Sequence, residues 1–196
     1  CSVVAEDMAY YASGALKKAI DCVMEFDPKA AQEVRESEDE TDKYEDMLGT
    51  YLLKLGAEPL SDAASEEVTE LLKLIGDFER IGDHAVNIIE SAEELHDKQL
   101  EFSRSAKYEL SVMTAAVGEV MDLAVKAFAE NDAQAASCVE PLEQVVDDLK
   151  NELRTRHILR MKKSECSIEA GFVWSDLLTN LELSLIHISE PTRLGM

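Results

Sequence analysis

Apolar residues recur every three or four positions along most of this chain, the spacing of helices that bury one face. The pattern divides into six segments. The first spans about 3–26 and ends at "FDPKA", where Asp27 is a cap and Pro28 opens the next helix. The second runs over about 28–55 and stops at Gly56, with Pro59 just beyond. Ser61 or Asp62 opens the third, which continues to about 97. The fourth covers about 103–129, and "END" at 130–132 breaks the chain before a fifth over about 132–162. "SECSIEAG", 164–171, then turns into a sixth. On the third helix Leu71, Leu74, Phe78, Ile81, Ala85, Ile88 and Ala92 form one stripe, and on the second Tyr44, Leu48, Tyr51 and Leu55 do the same. Connections of a few residues make sequential neighbours antiparallel.

The two halves repeat. "AAQEVRESEDETDKYEDML" from Ala30 lines up with "AASCVEPLEQVVDDLKNEL" from Ala135 at a shift of 105, and "LIGDFE" at 74–79 lines up with "LLTNLE" at 177–182 at a shift of 103. The expected fold is therefore all-α: two tandem three-helix bundles, 1–100 and 101–182. After Glu182 the likeness stops. The first copy continues "RIGDHAVNIIE", the second "LSLIHISEPTRLGM", in which Pro191 and Gly195 end any helix. "SLIHISEPTR" resembles a translated sequencing adaptor joined to a truncated gene, so 183–196 is set aside as a non-native tail and the last helix is expected to be cut short. A shortened helix leaves apolar faces uncovered, and a homodimer is one way to cover them.

Composition agrees with long helices: only 8 Gly and 4 Pro in 196 residues, with Ala, Leu, Glu, Lys and Asp together far outnumbering Val and Ile. No apolar run approaches the roughly 18 residues needed to cross a bilayer. The net charge of −22 repels nucleic acid and anionic lipid and attracts cations. The main basic cluster, "RTRHILRMKK" at 154–163, suits the negative end of a helix dipole or a docking patch. Cys1, Cys22, Cys138 and Cys166 show no metal or disulfide spacing and read as reduced, mostly buried thiols of a cytosolic protein. No nucleophile elbow, Gly-rich phosphate loop or Cys-His arrangement is present, which points away from an enzyme.

The candidate chemistry lies in carboxylates. An E-x-x-x-D spacing occurs as Glu38/Asp42, Glu79/Asp83 and Glu143/Asp147, at matching points of the repeat and off the apolar stripes. Residues four apart are neighbours on a helix, and pairs on adjacent helices can converge. Oxygen-only groups suit hard cations such as iron, manganese, magnesium or calcium. With 41 acidic residues, however, such pairs also arise as plain solvated faces, and the pattern alone leaves both readings open.

"DFERIGDHAVNI", 77–88, resembles the signature of PhoU-type regulators of phosphate uptake. "EDETDKYEDMLGTYLLKL", "VEPLEQVVDDL" and "GFVWSDLLTNLE" are similar to the cytosolic C-terminal domain of bacterial sodium/phosphate cotransporters. The resemblance implies two three-helix bundles carrying multinuclear iron clusters on surface carboxylates. It places them at Glu38, Asp42, Glu79 and Asp83 in the first bundle and at Glu143, Asp147 and Glu182 in the second. There the counterpart of Asp83 is Ile186 and that of Arg80 is Leu183, so the second site is expected to be crippled. The implied role is control of phosphate transport from the inner face of the membrane, through a transporter membrane domain or a transporter and its sensor kinase. Two other readings compete: an acidic bundle acting only through protein contacts, and a carboxylate-bridged metal oxidase. The oxidase class needs inward-facing E-x-x-H motifs, of which the chain offers one, Glu93/His96.

Overall fold

The computed structural model describes residues 2–186. They form six helices: α1 (Ser2–Met24), α2 (Pro28–Gly56), α3 (Asp62–Asp97), α4 (Arg104–Glu130), α5 (Ala133–Lys162) and α6 (Ile168–Ile186). Each boundary has a local cause. Asp27 accepts a hydrogen bond from the Lys29 backbone N–H and Pro28 occupies the first turn. Ser61, Ser103 and Asp132 cap α3, α4 and α5 by the same device, a side-chain oxygen receiving the orphan N–H groups of the first turn. At the other end of α4, Asn131 takes the left-handed conformation at φ 50° and reverses the chain.

The helices form two three-helix units, α1–α3 and α4–α6, and the core repeats with the sequence. Met8 and Met113, Ala12 and Val117, Leu16 and Met121 are buried at the shift of 105, as are Val34 and Val139, Thr41 and Val146, Leu48 and Leu153. At the shift of 103, Leu71 matches Trp174, Leu74 matches Leu177 and Phe78 matches Leu181, all buried. In α1 the buried face is largely alanine (Ala5, Ala9, Ala12, Ala15, Ala19), which lets its neighbours approach closely. The two units pack through α3 against α6 and α1 against α4. Across the first contact His84 Nδ1 lies 3.1 Å from Asn180 Oδ1. Across the second, Lys17 pairs with Asp122.

Three expectations need revision. Tyr51 is exposed and Leu52 is buried in its place, so the α2 stripe turns one residue further than the wheel suggested. Of the described thiols, only Cys22 is buried; Cys138 is exposed and Cys166 lies between, and all three are free. Beyond Glu182, α6 continues to Ile186 with Ser184 and Leu185 buried, so the first residues of the segment set aside as a tail are helical and packed. Residues 187–196 lie outside the described residues.

Candidate functional site

The first carboxylate group is assembled where α2 crosses α3 at Gly82. A Cβ on Gly82 would stand 3.6 Å from Glu38 Cγ and 3.8 Å from Glu38 Cα. With only hydrogen there, the α2 backbone closes on α3, and Glu38 comes alongside the turns that carry Glu79 and Asp83. Asp42 follows one turn along α2. Glu38 and Glu79 are half-buried in this groove, whereas Asp42 and Asp83 stay exposed. The expectation that all of these carboxylates face outward is therefore corrected for the glutamates: a wheel of one helix does not show the flank of its neighbour.

Crowding of like charge is legible in the acidities. Burial pushes the Glu79 carboxyl up to about 7, helped by Asp83, Asp42 and Glu45 and opposed by Arg80. Glu38 is raised by burial and then by Asp42, Asp83 and Asp39; Asp42 is raised by burial and then by Asp83, Asp39 and Asp46. Arg80, adjacent in sequence, turns back to the buried Asp77 at 3.5 Å. The four expected residues of the first bundle thus share one electrostatic site, and Glu45 joins them.

The second group is built differently. Glu143, Asp147 and Glu182 line a pocket of about 110 Å³ together with Val146 and Leu185. Leu185 is the repeat counterpart of Gly82, so a leucine stands where the first bundle has no side chain. Lys150 is the counterpart of Glu45, and its Nζ lies 2.6 Å from Glu182 Oε2, with both side chains largely buried. One bundle therefore gathers carboxylates with no lysine among them, and the other neutralises one of its carboxylates internally. Glu45 and Lys150 were not singled out from the sequence, although the shift of 105 pairs them and exposes the reversal of sign.

Among the described residues, no three His, Cys, Asp or Glu side chains close into a ligand set for one metal ion. The lone E-x-x-H is engaged elsewhere: both oxygens of Glu93 receive the Arg35 guanidinium at 2.9 and 2.7 Å, and His96 lies against the Phe26 ring at 4.6 Å. Among the described residues no helix is long and apolar enough to cross a membrane.

The PhoU domain model matches residues 5–92 and 110–189, one match to each bundle. The chain belongs to the PhoU domain family. A curated relative, the phosphate-specific transport system accessory protein PhoU homolog 1 of Thermotoga maritima, is 27% identical over 177 residues, covering 89% of this chain and 75% of that protein. Among solved structures, PhoU from Pseudomonas aeruginosa superposes with a TM-score of 0.90 at 22% identity, over 98% of this chain and 92% of the other. The phosphate transport system regulatory protein PhoU from Streptococcus pneumoniae gives 0.82 at 18% identity, over 96% and 88%. At these identities the structural matches carry the PhoU fold, all-α and spanning both bundles.

Proposed function

We propose that this PhoU-family chain is a regulatory, non-catalytic accessory of phosphate transport, acting on the cytoplasmic side through contact with a transporter. The observation that carries this reading is the family match across both bundles, joined to a curated relative whose name is that of a transport accessory protein. The partner is a transporter membrane domain or a transporter with its sensor kinase, and the cotransporter-like motifs around "EDETDKYEDML" favour the former. The test is uptake of labelled phosphate by cells with and without the chain in phosphate-rich medium. Uptake should rise when the chain is removed and fall when it is restored; unchanged uptake overturns the reading.

A second part of the proposal concerns ions. Glu38, Asp42, Glu79 and Asp83 fit a hard cation by donor chemistry and by crowding, since a divalent ion relieves the repulsion that raises Glu79. The donor set is oxygen only, so a hard cation (iron, manganese, magnesium or calcium) is what these residues would hold, although among the described residues no three of them close around a single point. Glu143, Asp147 and Glu182 fit less well, with Lys150 already on Glu182. A bound cation would supply positive charge on a surface that otherwise repels phosphate. Metal content of protein purified without chelator, compared with Glu79→Gln/Asp83→Asn, tests this part: stoichiometric metal lost in the variant supports it, and equal, negligible metal in both rejects it.

A further inference from the structure

Where α5 gives way to α6, the second bundle carries a cluster of donor atoms that the first bundle lacks. At the shift of 105, His157 stands where the first bundle has Leu52, and Met161 where it has Gly56. At the shift of 103, Gly171 stands where it has Val68. The first bundle closes this place with hydrocarbon: Leu52 and Val68 are buried, and Val68 Cγ1 lies 3.6 Å from the point that a Gly56 Cβ would occupy. The fold can therefore close this end without an imidazole or a thioether.

His157 is 4% exposed, and its ring stacks on Trp174. Nδ1 has no hydrogen-bond partner, and Nε2 has Cys166 Sγ at 3.9 Å, a weak contact for a buried imidazole. A buried ring so poorly satisfied calls for a partner that the chain itself does not supply. Met161, one turn after His157 on α5, brings its sulfur to the same place. The point that a Gly171 Cβ would occupy is 2.9 Å from Met161 Sδ and 3.0 Å from His157 Nε2. With only hydrogen on Gly171, thioether and imidazole face one opening at the start of α6. Cys166 is held beside it by the turn: Ser164 takes φ 58° after α5, and Ser167 Oγ accepts the Ala170 N–H at 3.1 Å. In sequence the pairing is hidden, because nine residues and a helix end separate Cys166 from His157.

We propose that Cys166, His157 and Met161 form a soft-metal site that takes copper(I). The donor set decides the class, since thiolate and thioether sulfur with imidazole select soft ions over the hard cations that suit the carboxylate groove. The spacing agrees. A metal about 2.0 Å from a ring nitrogen and about 2.3 Å from a sulfur bridges atoms up to about 4.3 Å apart, and Cys166 Sγ is 3.9 Å from His157 Nε2. Charge decides between soft ions. Copper(I) and the thiolate it binds sum to zero, whereas zinc(II) would leave a net positive charge near the buried Arg160, whose guanidinium lies over the same Trp174 ring. Cys166 is partly exposed, which gives the ion a way in and the displaced Sγ proton a way out to solvent. The site is separate from the carboxylate groove and does not depend on the proposed regulatory role.

The experiment titrates the full chain, reduced and under nitrogen, with copper(I) in competition with bicinchoninate. One copper(I) per chain should be held, with sulfur and nitrogen both in its X-ray absorption shell. Cys166→Ser and Met161→Leu should each weaken binding at least tenfold; the second keeps the side chain's size, so its result stands even if the first variant folds poorly. Cys1→Ser/Cys138→Ser should leave affinity unchanged. Binding undiminished in Met161→Leu, or lost in Cys1→Ser/Cys138→Ser, overturns the proposal by showing an adventitious thiol complex. So does a shell without nitrogen, or zinc(II) displacing copper(I) at equal concentration.

Discussion

Lys150 and Glu182 form an ion pair between α5 and α6, 2.6 Å long, at the position where the first bundle sets Glu45 against Glu79. One sign reversal in the repeat separates two otherwise matched sites. In the first, burial and the neighbouring Asp42 and Asp83 make Glu38 and Glu79 harder to ionise; in the second, a lysine already serves Glu182. Metal titration should therefore find its strong sites in the first bundle, and Glu79→Gln/Asp83→Asn should remove most of the binding while Glu182→Gln removes little. Lys150→Glu should add binding capacity in the second bundle. Isothermal titration with Mn²⁺ reads all three; loss of binding in Glu182→Gln equal to that in the double variant would contradict the asymmetry.

The raised acidity constant of Glu79 makes stability depend on pH in a defined direction. Its carboxyl is pushed up to about 7 in the folded chain, from the ordinary glutamate value of 4.5 that holds in the unfolded one. Between those values the folded state holds the extra proton, so Glu79 lowers stability as pH rises from about 4.5 to 7, and its penalty is complete above 7. Glu79→Gln removes the penalty. It should be more stable than the parent chain at pH 8 by on the order of 1 kcal/mol, the full linkage value being reduced by partial solvent screening, and no more stable at pH 4.5. Urea unfolding at the two pH values decides it, and a variant equally stabilised at both would point to a cause other than ionisation.

Helix boundaries were legible because their causes are local: Asp27-Pro28 and Ser61 announce caps in the sequence itself, and "END" at 130–132 marks the break that Asn131 and Asp132 make. The repeat was legible because its apolar positions are the buried ones. The α2 stripe was misread at Tyr51 because Tyr51 and Leu52 are adjacent and both apolar, and only the neighbouring helices choose between them. The carboxylate cluster was half legible. Spacing placed Glu38, Asp42, Glu79 and Asp83 on compatible faces, but the burial of the two glutamates follows from the Gly82 crossing, which no single-helix wheel contains. The Glu109–Arg160 pair gave no local signal, since the partners are 51 residues apart and each reads as one charge among many.

That pair lies deep, its side chains 8% and 10% exposed, and its removal should be asymmetric. Arg160 Nη1 donates to Glu109 Oε2 at 2.6 Å, and the guanidinium carbon lies 5.3 Å from the Trp174 ring centroid. Glu109→Ala strands a buried guanidinium and should destabilise the chain by about 3–5 kcal/mol. Glu109→Leu/Arg160→Met removes both charges at similar volume and should recover most of that loss. Thermal unfolding of the two variants and the parent separates the cases; a double variant as weak as Glu109→Ala would mean that the ring contact, not the stranded charge, dominates.

Gly82 offers the sharpest test of how the carboxylate site is put together. Its absent side chain faces Glu38 at ordinary contact distance, 3.6 Å for a Cβ, so Gly82→Ala should fit without moving α2 and should gain about 0.8–1 kcal/mol from helix propensity. Gly82→Leu copies the second bundle, where Leu185 lines the pocket, and the added branch has no room against the Glu38 backbone. It should cost about 1–3 kcal/mol by overpacking and force α2 away from α3. As Asp42 retreats and water enters the groove, the Glu79 carboxyl should titrate closer to an ordinary glutamate, which carbon-detected NMR of the side-chain carboxyl can follow. Both readouts are needed. Lower stability alone would show only a crowded helix contact, whereas lower stability together with a falling Glu79 titration point would show that the glycine crossing itself holds the four carboxylates together.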